Sequence, residues 1–217
     1  MKNSFIILVL LFMSTMSLAQ DEVNSNVDRK AFIFEIQSGT GLSWISGFKD
    51  ATEIDGTVDL SIKLGLGLTY AFNGRFGIET GAYWSDLGNN YKSDNDGTTI
   101  DGNFSFSYLQ IPVIAKFDFA NSLDLLKSTS YGIKAGGQLG FNIMANDFGE
   151  VTYDGETNSY ANELDVNNNI DFLIGLYSYT QNWGYGIDYA MGLNTIFKEG
   201  ETDMKNRSIR MVISYRF

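Results

Sequence analysis

The sequence predicts an all-β fold, an eight-stranded antiparallel barrel wound as an up-and-down meander, on three observations. Long runs alternate apolar and polar residues with a period of two. The connections between them alternate between short and long. The faces opposite the apolar ones are glycine-rich and sparsely charged. Period two marks strands, because successive side chains leave a pleated backbone on opposite sides.

The runs lie near 31–46, 57–72, 75–91, 103–118, 131–146, 169–180, 183–197 and 207–217. "TVDLSIKLGLGLTYAF" (57–72) is the clearest, with Val58, Leu60, Ile62, Leu64, Leu66, Leu68, Tyr70 and Phe72 on one side. Asn73-Gly74 reads as a tight hairpin turn to the next run, and residues around Thr180 to Asn182 as another. "NSLDLLKSTS" is the remaining connection of this set, with room for a helical turn. The opposite connections are long and acidic: "GFKDATEIDG", "KSDNDGTTIDG", "NDFGEVTYDGETNSYANELDVNNN" and "KEGETDMKN". The fourth run switches phase between Tyr108 and Leu109, which predicts either a β-bulge there or an upper half that lies above the membrane, where parity need not be kept, and Pro112 withholds one ladder hydrogen bond.

The polar faces decide what the apolar faces meet. In the fifth run Gly132, Lys134, Gly136, Gln138, Gly140 and Asn142 are too small and too rarely charged for a water-facing surface. They suit the narrow interior of a small barrel. The bulky aromatics opposite would not fit inside one, so they face lipid. The predicted barrel is therefore transmembrane, with tight turns on one side of the bilayer and long loops on the other. Rings collect at both ends of the runs, where membrane interfaces place them. Tyr70, Phe72, Trp183, Tyr185, Tyr215 and Phe217 lie at the short-turn end, and Trp44, Trp84, Phe106 and Phe197 at the long-loop end.

The leader agrees with export. Lys2, the apolar stretch Phe5 to Met13 and the small-residue site Ser17-Leu18-Ala19 read as a signal peptide over 1–19. Residues 20–30 then form a short periplasmic leader and 31–217 the barrel.

"SYLQIPVIAKF" (107–117), followed by "YGIKAGGQLGF" (131–141), resembles the outer-membrane β-barrel domain common in Bacteroidota and often labelled PorT-like, a "porin family" of small barrels. The ending "RSIRMVISYRF" is similar to the C-terminal strand signal of outer-membrane proteins. The resemblance implies an outer-membrane location, contact with its lipid and delivery by the barrel-assembly machinery through that last strand. One family member is an accessory component of a secretion system. The family supplies no catalytic motif.

Composition excludes much chemistry. The chain has no Cys and no His, which removes disulfides, thiolate metal sites, Cys nucleophiles and the commonest general base. A net charge of -11 argues against nucleic acid as partner. The predicted lumen carries Glu35, Asp59, Lys63, Arg75, Glu79, Lys116, Lys134, Asp171, Asp188, Arg210 and Arg216. These read as a structural network of buried ion pairs, since eight strands leave no aqueous pore. Asp94, Asp96 and Asp101 have the oxygens for Ca²⁺ but not an EF-hand spacing, so they read as turn residues. Glu150, Asp154, Glu156, Glu163 and Asp165 make the longest loop acidic without marking an acid–base pair.

The expectation is a non-enzymatic barrel with a closed polar lumen, no cofactor, no catalytic residue and no metal site. It would serve envelope structure or an unidentified envelope partner through its acidic extracellular loops. The alternative is a small-solute channel or transporter.

Overall fold

The computed structural model describes residues 31–52, 54–72, 75–95, 97–119, 130–197 and 203–217. The proposed signal peptide, the leader, Asn73-Gly74, Asp96 and most of "NSLDLLKSTS" lie outside the described residues. Nine strands and one short helix are present among the described residues: β1 (Ala31–Ser46), α1 (Phe48–Thr52), β2 (Asp55–Ala71), β3 (Phe76–Asn95), β4 (Thr98–Asp118), β5 (Ser130–Tyr153), β6 (Glu156–Glu163), β7 (Asn169–Thr180), β8 (Trp183–Gly192) and β9 (Lys205–Arg216). Every pairing is antiparallel. β1 pairs with β2 on one side and β9 on the other, and β4 pairs with β5, so all strands but β6 close a ring of eight.

The ring is inside out relative to a soluble protein. Leu60, Leu64, Leu66, Ile174, Leu176, Ile187 and Met211 are exposed, while Glu35, Lys63, Glu79, Lys116, Lys134, Asp188 and Arg210 are buried. Apolar residues outside and charges inside are stable only where the surroundings are hydrocarbon. At the short-turn end rings pack against one another around the wall, tilted or T-shaped: Phe32 with Tyr70, Tyr70 with Phe72, Phe76 with Phe117, Trp183 with Tyr215, and Tyr215 with Phe217, at centroid distances of 4.9 to 5.4 Å. Tyr185 and Trp84 are also exposed on the outer wall, and Trp44 lies 6.4 Å from Tyr189.

Four sequence expectations need correction. The bulge lies in β5, not β4: Ser107 faces Met144 and Tyr108 faces Asn142, so Ile143 is the unopposed extra residue. β4 keeps one phase throughout. Its apolar residues change sides instead, with Phe106 and Tyr108 buried inside and Leu109, Ile111 and Val113 outside. Phe106 and Phe197 are therefore not interface rings; both turn inward above the lumen. The longest loop is largely a hairpin, in which β5 runs on past the bulge and β6 returns along it through Asp154-Gly155. Both turn residues have positive φ, 50° and 79°. That double left-handed turn matches the right-handed twist of the strands, and Asp-Gly is suited to it. Finally, the seventh run ends as strand at Gly192, short of the expected 197.

Pro112 has a smaller effect than a register shift. The β3–β4 ladder skips from Thr80–Val113 to Tyr83–Gln110 without changing register, and Thr80 Oγ1 donates to the Pro112 carbonyl at 2.8 Å.

Candidate functional site

Three layers follow one another from the short-turn end to the long-loop end. The first is the polar lumen. Glu35 and Gln37 of β1, Glu79 and Tyr83 of β3, Lys116 of β4 and Tyr179 of β7 share the inward phase of their strands and meet at the centre. Lys116 Nζ lies 2.9 Å from Glu79 and 3.6 Å from Glu35. Gln37 Nε2 donates to both carboxylates at 3.0 Å. Tyr179 OH accepts from Lys116 at 3.1 Å and donates to Glu35 at 2.8 Å. Arg216 covers the Tyr179 ring at 3.0 Å and reaches Glu35 at 4.0 Å. Further along, Lys134 pairs with Asp188 at 2.8 Å. Lys63 stands 4.0 Å over the Tyr83 ring. Asp171 accepts from Gln138 and Asn169, both at 2.7 Å, and Arg210 donates to Ser85 and Ser208 at 2.8 and 3.0 Å.

Of the residues expected in the lumen, Glu35, Lys63, Glu79, Lys116, Lys134, Asp171, Asp188 and Arg210 are buried there, and Arg216 sits at its short-turn mouth. Arg75 is elsewhere. It precedes β3, at the exposed short-turn end, because the strand begins one residue later. Asp59 is only half-buried, at the long-loop end, where it accepts from Asn103 at 2.7 Å. The sequence reading missed Gln37 and Tyr179, although Tyr179 shares the phase of Asp171.

The second layer is apolar. Ile45, Phe48, Leu87, Tyr91, Phe106, Tyr108, Ala145, Val166, Ile196 and Met204 pack into one buried cluster, with Phe104 and Phe197 against it. Phe104 contacts Phe48, Tyr91, Phe106 and Phe197 at 4.9 to 6.1 Å between centroids. α1 and the segment after β8 fold over the mouth to supply Phe48 and Phe197, and an isolated Val166–Phe197 bridge ties the latter segment to the one after β6. This apolar cluster, the plug, stacks above the polar lumen.

The third layer is a sheet that rises past the plug, made of the far ends of β3, β4 and β5 together with β6. Tyr91 OH donates to Asp147 at 2.6 Å and lies 2.5 Å from Tyr160 OH, which joins β3, β5 and β6 across the concave side. Gly102 and Gly149 lie beneath these rings, where a Cβ would strike Tyr91 and Tyr160. Burial raises the Tyr91 phenol above its ordinary range, and its hydrogen bonds to Asp147 and Tyr160 add to this. Burial also raises the Asp147 carboxyl, although the Tyr91 hydrogen bond opposes it. The acidic turns carry local contacts: Asp94 accepts from Thr99, and Asp101 lies 3.8 Å from Lys92. Among the described residues, no group of three His, Cys, Asp or Glu is placed to hold a metal ion.

A closed ring with charges inside and hydrocarbon-facing leucines outside defines an integral β-barrel of the bacterial outer membrane. The chain belongs to the outer membrane protein beta-barrel domain family, whose model matches residues 19–198. Among solved structures it is similar to Ail, the attachment invasion locus protein of Yersinia pestis, at 14% identity over 86% of this chain and 97% of that one, with a TM-score of 0.39. It is similar to OprG from Pseudomonas aeruginosa at 15% identity over 89% and 99%, TM-score 0.39. Neisserial surface protein A is similar at 11% identity over 85% and 97%, TM-score 0.42. Among curated proteins none matches in sequence.

Proposed function

We propose that this protein is a non-enzymatic, closed barrel that serves the envelope by presenting its acidic loops to a partner outside the cell. The supporting observation is the packing of the interior at two levels. Lys116 is held between Glu35 and Glu79 at one level, and Phe104, Phe106 and Phe197 pack over the mouth at another. A barrel built to conduct keeps a water-filled path, and side chains packed at two levels of the interior argue against one. In this reading both termini are periplasmic, residues 1–19 are removed on export, and 20–30 remain as a short leader. β9, ending near Tyr215 and Phe217, is the strand offered to the assembly machinery. The ion pairs of the lumen have a structural role, as do the interface rings.

Planar-bilayer recording tests the closure. The purified protein is expected to give no steady unitary currents; reproducible currents would establish the small-solute channel instead. Crosslinking from photo-reactive residues at positions 50, 99, 159 and 203 in native envelopes tests the partner role. Specific adducts on the loops are expected, and their absence at every position would overturn it.

A further inference from the structure

We infer that the outer edge of β6 is a docking edge for an extended, basic polypeptide segment, which adds to the projecting sheet as a further strand. This deepens the partner role proposed above and rests on it.

The edge is free and its backbone is aimed outward. β6 pairs with β5 alone among the described residues. In a two-residue hairpin the flanking pair, here Tyr153 and Glu156, exchanges hydrogen bonds, and bonded pairs then recur at every second residue. Asn158, Tyr160 and Asn162 therefore direct their N–H and C=O groups at β5. Thr157, Ser159, Ala161 and Glu163 direct theirs away from it. Proteins ordinarily defend such an edge with Lys, Pro or a bulge. β6 carries none of these, and its residues are exposed apart from half-buried Tyr160.

Its rigidity adds to the case. Tyr160 is tied to Tyr91 and the β5–β6 register is regular over all eight residues, so the edge is preformed. A strand docking there does not have to order it.

Charge selects the occupant. The hairpin segment 146–168 holds Asp147, Glu150, Asp154, Glu156, Glu163 and Asp165 and no Lys or Arg. Two copies joined edge to edge would bring two such acidic segments together, which is repulsive. A strand bearing Lys or Arg is attracted instead. Glu163 and Glu150 point to one face of the sheet and Glu156 to the other, so basic residues on either face of the incoming strand find a carboxylate.

The test uses the full barrel in zwitterionic lipid vesicles and a short synthetic peptide of alternating Lys and Thr. The expected result is saturable binding with slowed amide exchange at Thr157, Ser159, Ala161 and Glu163. Ser159→Pro combined with Ala161→Pro removes two outward donors without touching the β5–β6 bonds, and should weaken binding about tenfold or more. Because that variant can misfold, a peptide of the same composition, N-methylated at alternate residues, is run against the unaltered protein and should bind equally weakly. Equal affinity of the N-methylated and plain peptides would overturn the proposal, leaving charge attraction alone. Edge protection that appears without peptide and grows with protein concentration would also overturn it, making a second copy the occupant. Envelope crosslinks at 50, 99 or 203 but never at 159 would refute this edge while leaving the partner role intact.

Discussion

Replacing Glu79 with Gln changes one atom's chemistry at the centre of the lumen, and its cost follows from the contacts. Glu79 Oε1 accepts from Gln37 at 3.0 Å and Tyr83 at 3.3 Å, and Oε2 accepts from Lys116 at 2.9 Å. An amide keeps one acceptor. If its oxygen stays with Gln37 and Tyr83, its N–H₂ opposes the Lys116 ammonium, donor against donor. Lys116 is then left with Glu35 at 3.6 Å as its anion. The lost charge-assisted bond is worth about 1.5–3 kcal/mol. A buried cation deprived of one partner moves the total toward the about 3–5 kcal/mol typical of a broken buried pair. We expect a loss of about 3 kcal/mol, roughly a hundredfold in the unfolding equilibrium. Urea unfolding in lipid vesicles, followed by tryptophan fluorescence and by the mobility of unboiled samples on gels, measures it. The double variant Glu79→Gln with Lys116→Met should lose clearly less than the sum of the two single losses, since each removes the same pair. Additivity to within about 0.5 kcal/mol, or a single loss smaller than that, would refute the network as described.

Three other outcomes follow from the same structure. Phe106→Ala empties a fully buried site in the plug and should cost about 3–5 kcal/mol in the same unfolding assay. Gly155→Val forces a branched residue to a φ of 79°, so amide exchange along β6 should accelerate while the lower barrel strands stay protected. Asp147 supplies a pH dependence. Its folded carboxyl titrates above the ordinary value, so the folded hairpin binds the proton more tightly than the unfolded chain does. Stability of the hairpin should therefore fall as pH rises from the ordinary Asp range through the raised one, and level off above it. Amide exchange of β6 should show this slope, and Asp147→Asn should abolish it.

Strand placement and the inside-out arrangement were legible because they rest on period-two chemistry. Leu64 and Leu66 against Lys63 and Gly65 identify both faces of β2 without reference to any other strand, and residues 169–180 are strand in sequence and structure alike. The closing ring follows from the alternation of short and long connections. What stayed hidden depends on strands that meet only after closure. Phe104, Phe106 and Tyr108 look like a lipid-facing stripe that has slipped phase, since apolar residues read alike whether they meet hydrocarbon or one another. Only the arrival of Phe48 and Phe197 from distant loops turns that stripe into a plug. The bulge is equally invisible locally, because a shift in β4–β5 register can be absorbed by either strand, and packing placed it at Ile143. Which charges pair across the lumen, Lys116 with Glu79 and Lys134 with Asp188, is likewise decided by barrel closure rather than by spacing. Alternation along a strand is a local property of the backbone; contacts across a closed ring are not.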